Sequence, residues 1–125
     1  MPALPQDIVD AWSDREGPIV FTTVSKDGTP NAIWASCVEM MGDDAIVVAN
    51  NFFDKTLANV RAGGSGSVLF ITKDKKGYQL KGEIEYHESG KVFDFMKEWN
   101  PEKLPGHAAA LVRVREAYQG ATRIV

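Results

Sequence analysis

The chain has one cysteine, Cys37, so no disulfide can form within it, and a lone thiol fits a reducing compartment. It has two histidines, His87 and His107, without cysteine or carboxylate neighbours at metal-ligand spacing, which argues against a zinc site. It lacks a basic excess. The formal charge is −3 and the pI about 5.3, which argues against non-specific nucleic-acid binding. No apolar run is long enough to span a bilayer. The segment Met1–Asp7 has no positively charged lead into an apolar stretch, so the expectation is a cytoplasmic protein.

Several catalytic signatures are missing as well. No G-x-x-x-x-G-K-[ST] phosphate loop occurs, and Gly64-Ser65-Gly66 neither completes a dinucleotide fingerprint nor opens a helix. Asp43-Asp44 and the Glu83/Glu85 pair read as turn and solvent-face charges rather than an acid–base couple. Cys37 reads as a small mid-strand hydrophobe.

What is present is ordinary globular material. With 125 residues, 44 % hydrophobic and 25 % charged, the chain is the right size for one domain, residues 1–125, with its own core. No repeat or linker divides it. Asp7 is placed to cap a short helix whose Ile8, Val9 and Trp12 share a face. A strand from Ile19 to Ser25 meets the Asp27-Gly28 hairpin signal, and Thr29 to Met41 returns as one long strand. Ala45–Ala49 is a short, almost wholly apolar strand.

The period then changes, and Asp54 to Arg61 reads as a helix capped by Asp54 and closed by Gly63-Gly64. A fourth strand runs from Ser67 to Thr72. A fifth, from Tyr78 to His87, alternates apolar and polar residues. Gly90–Trp99 is helical, with Val92, Phe93, Met96 and Trp99 on one side. A last strand, Ala108 to Val114, precedes a tail. The order predicts a mainly β protein, a six-stranded antiparallel barrel with short helices at its ends.

Two segments carry candidate chemistry. A helix N-terminus presents free N–H groups and a partial positive charge. Lys55 adds a full charge there, Thr56 a hydroxyl, and Asn59 and Arg61 further donors one turn on. This is either a phosphate seat or a plain capped surface helix. The second segment, Asn31-Ala32-Ile33-Trp34-Ala35-Ser36, alternates small and bulky residues. It offers a flat ring a backbone wall, with Trp34 and Trp99 as aromatic surface, or it simply fills the core.

In this order the elements resemble the pyridoxamine 5′-phosphate oxidase-like family of FMN-binding split barrels. The likeness is carried by the N-terminal helix, Ile19-Val20-Phe21-Thr22-Thr23 and Asp27-Gly28-Thr29-Pro30. It continues through the second strand to Trp34, the Ala45–Ala49 strand, Lys55-Thr56-x-x-Asn59-Val60-Arg61 and the strand after the glycines. It covers about residues 6–115 and is nearest the short FMN-binding proteins of anaerobic bacteria. The resemblance implies a split barrel with FMN as cofactor, its phosphate on Lys55 and Thr56. Ala32, Ile33, Trp34, Ala49, Asn50 and Asn51 would line the ring and ribityl chain, with Asn59 nearby. It also implies a homodimer with flavin at the interface, Trp99 and the tail being candidates for contacts across it. The motifs that hold pyridoxal phosphate in the vitamin-B6 oxidases are missing. The expected function is therefore a small flavin reductase or electron carrier, with NAD(P)H or a protein as redox partner. A non-catalytic flavin-binding or storage module, and a haem-binding relative using His87 or His107, are the alternatives.

Overall fold

The computed structural model describes residues 3–125. It contains three short helices and eight strands: α1 (Gln6–Ser13), β1 (Ile19–Val24), β2 (Pro30–Ala35), β3 (Val38–Met41), β4 (Ala45–Asn50), α2 (Lys55–Ala62), β5 (Ser65–Ile71), β6 (Gly77–His87), α3 (Lys91–Trp99), β7 (Ala108–Gln119) and β8 (Thr122–Arg123). All pairings are antiparallel, in the order β2-β1-β5-β6-β7-β4-β3, with β8 added to β7.

The two ends of that path, β2 and β3, are separated in sequence only by Ser36 and Cys37. A trans peptide chain advances at most about 3.8 Å per residue, so the sheet must curl until its ends meet. The result is a split barrel, as the sequence leads one to expect. The strand count differs from six. The stretch read as one strand from Thr29 to Met41 is two, because its halves serve different neighbours. Ile19 pairs with Ala35, whereas Val38 pairs with Val48. Ser36 and Cys37 cross from one edge of the sheet to the other.

The last strand is also longer than predicted, and a register shift explains why. Gly82 pairs with Val114 but Lys81 pairs with Glu116, leaving Arg115 as the extra residue of a β-bulge. The bulge breaks the alternation beyond Val114, yet Ala117 returns to the core and the strand continues to Gln119. At Gly82 an added Cβ would lie 1.9 Å from the Arg113 carbonyl oxygen, so only glycine lets the strands approach this closely.

The barrel interior is filled by alternate residues, among them Ile19, Phe21, Val68, Phe70, Leu80 and Val112, with Ile8 and Trp12 of α1 closing one end. A second apolar layer lies outside the barrel, where Val92 and Met96 of α3 cover Ala45, Val47, Ala49, Ala109 and Leu111. This is why β4 reads as almost wholly apolar. Ile46 and Val48 face the interior, while Ala45, Val47 and Ala49 face α3, so the strand is covered on both sides.

Two caps differ from expectation. The N-cap of α1 is Pro5 rather than Asp7, and Asp7 lies in the first turn. A proline has no N–H to satisfy and its fixed φ suits a helix start. Asp54 does occupy the N-cap of α2, but its side chain makes no capping hydrogen bond.

Candidate functional site

The chain between β4 and α2 is held by Asn50. Its Oδ1 accepts from the Phe53 N–H at 3.0 Å and its Nδ2 donates to the Tyr86 hydroxyl at 2.7 Å. This side-chain brace shapes the turn in place of Asp54. Phe53 packs against Phe21 of the barrel interior, ring centroids 6.1 Å apart, and so anchors the turn to the core. The first-turn N–H groups of α2 are consequently left without a carboxylate cap, and no acidic residue follows in that turn.

A small cavity of about 130 Å³ opens at this helix start, lined by Asn31, Ile33, Phe52, Phe53, Asp54, Lys55 and Thr56. Lys55 is exposed, whereas the Thr56 side chain is buried at 1 % exposure. Thr56 belongs to a polar network sunk between β1, β2 and α2. Asn31 Nδ2 donates to Thr56 Oγ1 at 2.9 Å and to Thr23 Oγ1 at 3.2 Å, while Asn59 Nδ2 donates to Thr23 Oγ1 at 2.9 Å. With Thr56 Oγ1 accepting from Asn31, the hydroxyl proton is free to be donated elsewhere. The exposed Asp54 carboxylate opposes an anion here; the Lys55 ammonium and the helix dipole favour one.

A larger cavity of about 350 Å³ continues from the small one, sharing Ile33, Phe52 and Phe53. Ala35, Ser36, Cys37 and Ala49 line its far part, and Asn51 and Leu104 a further side. The Ala49 N–H is spent on the Cys37 carbonyl at 3.0 Å, which fixes the crossover against β4. Trp34 and Phe52 stand at 73 % and 78 % exposure, two aromatic faces left open to solvent along the same cleft. The titratable side chains among the lining residues are Cys37, Asp54 and Lys55. No group of three or more potential metal ligands occurs among the described residues.

The expected site residues divide in two. Ile33, Trp34, Ala49, Asn51, Lys55 and Thr56 come together along the cleft. Ala32 does not; it sits on the outward face of β2 opposite Thr22. Asn50 is buried and used entirely as a brace, and Asn59 reaches the cleft only through Thr23 and Asn31. Trp99, the last residue of α3, packs edge-on against Phe95 and does not itself line the cleft, although it belongs to the apolar cluster that holds Ala49 and Cys37. Phe52, Cys37 and Leu104 line the cleft without a role expected of them, and Asn31, which opens the candidate segment but carries no expected ligand contact, lines it too. Strand alternation signals Asn31, which shares the inward face with Ile33 and Ala35. Leu104 lies in an irregular loop where no periodicity marks it.

His87 and His107 lie outside the cleft. The His87 Nε2 is 2.9 Å from Glu85, in a surface group in which Arg113 binds Glu85 at 3.0 Å and Asp44 at 3.5 Å. The hydrogen bond from Arg113 holds the Glu85 carboxyl below its ordinary range.

Comparison with known proteins agrees with this architecture. An uncharacterized protein of Methanocaldococcus jannaschii is 28 % identical over 109 residues, covering 82 % of this chain and 73 % of that protein. Among solved structures, Group A Streptococcus HupZ superposes with a TM-score of 0.83 at 18 % identity, covering 98 % of each chain. An FMN-binding protein of Syntrophomonas wolfei gives 0.72 at 24 % identity, covering 93 % of this chain and 91 % of that one. HutZ, the haem storage protein of Vibrio cholerae, gives 0.68 at 16 % identity, with 95 % and 96 % covered. At these identities the structural likenesses establish the fold. The family profile described as pyridoxamine 5′-phosphate oxidase matches residues 6–121, nearly the whole chain, and the protein belongs to that family.

Proposed function

We propose that this protein binds FMN in the cleft between β2 and the β4–α2 turn and works as a small redox flavoprotein. The observation that carries this is the continuity of the cleft. It starts at a helix N-terminus without a carboxylate cap, bearing Lys55 and Thr56, and runs into a mainly apolar slot beside Ile33, Trp34 and Ala49. One end suits a phosphate and the other a flat ring. Lys55 would supply a charge-assisted hydrogen bond, and Thr56 a hydroxyl already oriented by Asn31. When bound, FMN would supply the electron or hydride chemistry, and the protein the binding and orientation. A cleft whose lining is poor in acid–base groups fits that division.

An unpartnered outer face supports a homodimer. On β2, β1 and β5, Trp34, Val20 and Leu69 form one cross-strand row, with Ile71 beyond it, and Trp34, Leu69 and Ile71 are exposed. An apolar row on an uncovered sheet suits a second copy of the same face. Trp34 belongs both to this row and to the cleft, so a partner there would sit at the edge of the ligand.

A haem-binding role has the fold likeness to HutZ behind it but less support from this chain's own residues, since neither histidine lines the cleft. Titration of the purified protein with FMN, followed by flavin absorbance and fluorescence, tests the proposal. Titration with haem, followed near the Soret band, tests the alternative. Rapid mixing of FMN-loaded protein with NADH or NADPH separates a reductase, whose flavin bleaches, from a carrier or storage module.

A further inference from the structure

Asn50 is braced toward α2, and the next residue, Asn51, is braced the opposite way. Its Nδ2 donates to Asn100 Oδ1 at 2.9 Å, and its Oδ1 accepts from Asn100 Nδ2 at 3.0 Å and from the Gly106 N–H at 2.9 Å. Both amides are more than nine-tenths buried. A reciprocal pair of this kind is costly to open, because each half left behind is a buried polar group without a partner.

The clamp closes both ends of the loop between α3 and β7. Lys97 Nζ binds the Pro105 carbonyl at 3.1 Å, the Leu104 N–H binds Pro101 at 3.0 Å, and the His107 N–H binds Asn50 at 2.9 Å. Gly106 has φ +51°, and an added Cβ would lie 2.8 Å from both Asn100 Nδ2 and Lys97 Nζ. A side chain there would force the clamp apart. The one residue of this loop that lines the cleft is Leu104.

We infer that the Asn51–Asn100–Gly106 clamp is a positioning device that holds Leu104 as a wall of the cleft, and that it governs affinity for the ring portion of the ligand independently of the phosphate. The inference rests on the FMN reading and names the residues that shape its ring end. Leu104 acts by contact, while Asn100 acts through Asn51 and the loop. Lys103 is exposed, but the backbone on either side of it is tied down by the Leu104 N–H to Pro101 and Lys97 to Pro105 bonds within the clamped loop.

The test compares wild type, Asn100→Ala, Leu104→Ala and the double variant, each titrated with FMN and with riboflavin. Leu104→Ala should weaken both flavins by the same factor, roughly five- to twentyfold, the scale of losing one partly buried leucine. Asn100→Ala should do likewise, and the double variant should be no weaker than the weaker single one, since both act at one wall. Trypsin should cut at Lys103 faster in Asn100→Ala than in wild type. Unchanged riboflavin affinity in Leu104→Ala would overturn the inference, and so would losses that add in the double variant. Where Asn100→Ala does not fold, Leu104→Ala decides alone. A wild type that binds neither flavin overturns the FMN reading together with this one, whereas wild-type binding with indifferent variants overturns this one only.

Discussion

Asn31 and Thr56 lie on different elements, β2 and α2, yet the Asn31 Nδ2 donates to the Thr56 Oγ1 at 2.9 Å inside a largely buried network that also holds Thr23 and Asn59. The bond ties the strand that walls the cleft to the helix start that would seat the phosphate. With the threonine oxygen accepting from Asn31, the hydroxyl keeps its own proton available to donate to a phosphate bound at this helix start. Asn31→Ala should weaken FMN binding by about tenfold, the usual scale of one lost hydrogen bond to a charged system. It should leave riboflavin binding nearly unchanged. Equal loss for both flavins, measured by fluorescence titration, would place Asn31 at the ring end instead.

The outer row Trp34–Val20–Leu69 predicts an assembly. Leu69→Glu leaves the cleft lining untouched and puts a carboxylate on that face, at the β5 end of the row. Sedimentation equilibrium should give a dimer for wild type and a monomer for Leu69→Glu, because burying an unpaired charge is costly. A monomeric wild type would remove the dimer from the account.

Acid should weaken the fold partly through Glu85. Its carboxyl is held below the ordinary value of 4.5, first by the hydrogen bond from Arg113 and then by His87. A carboxylate with a lowered folded-state pKa stabilises the protein above the unfolded value and loses that contribution as pH falls through the folded one. Thermal melts of wild type and Glu85→Gln should therefore converge as pH falls below roughly 5 and separate above it. Asp27, Asp74, Glu16 and Glu116 are shifted the same way, so the difference between the two proteins, rather than either melt alone, reports Glu85.

Gly82→Ala tests the bulge. The new methyl would lie 1.9 Å from the Arg113 carbonyl oxygen, a backbone atom that cannot turn aside. Overpacking of this kind costs roughly 1–3 kcal/mol. The midpoint of chemical denaturation should fall accordingly, and an unchanged midpoint would mean that the β6–β7 pairing shifts to accommodate the methyl.

The helices, the hairpins and the apolar β4 strand are legible in the sequence because each rests on local signals. The alternation in Tyr78–Tyr86 and the switch of period at Lys55 need only neighbouring residues. The split of Thr29–Met41 into two strands is not legible locally, since Ala35 and Val38 differ in their distant partners rather than in their composition. The same holds at the site. Lys55 and Thr56 announce themselves at a helix start, and Ile33 and Trp34 on a strand of alternating size. Asn50 and Asn59 also look like ligand donors, but their amides are taken by Tyr86, Phe53 and Thr23. Leu104 was invisible because a loop residue acquires its role only from the clamp that places it.

The most direct measurement is titration of the purified protein with FMN and with riboflavin, repeated with Lys55→Ala. The account predicts saturable FMN binding in the wild type and a loss of roughly tenfold to a hundredfold in Lys55→Ala, the scale of one charge-assisted hydrogen bond. Riboflavin, which lacks the phosphate, should bind both proteins alike. Wild-type protein that fails to bind FMN, or Lys55→Ala that binds it undiminished, would contradict the phosphate seat at the start of α2.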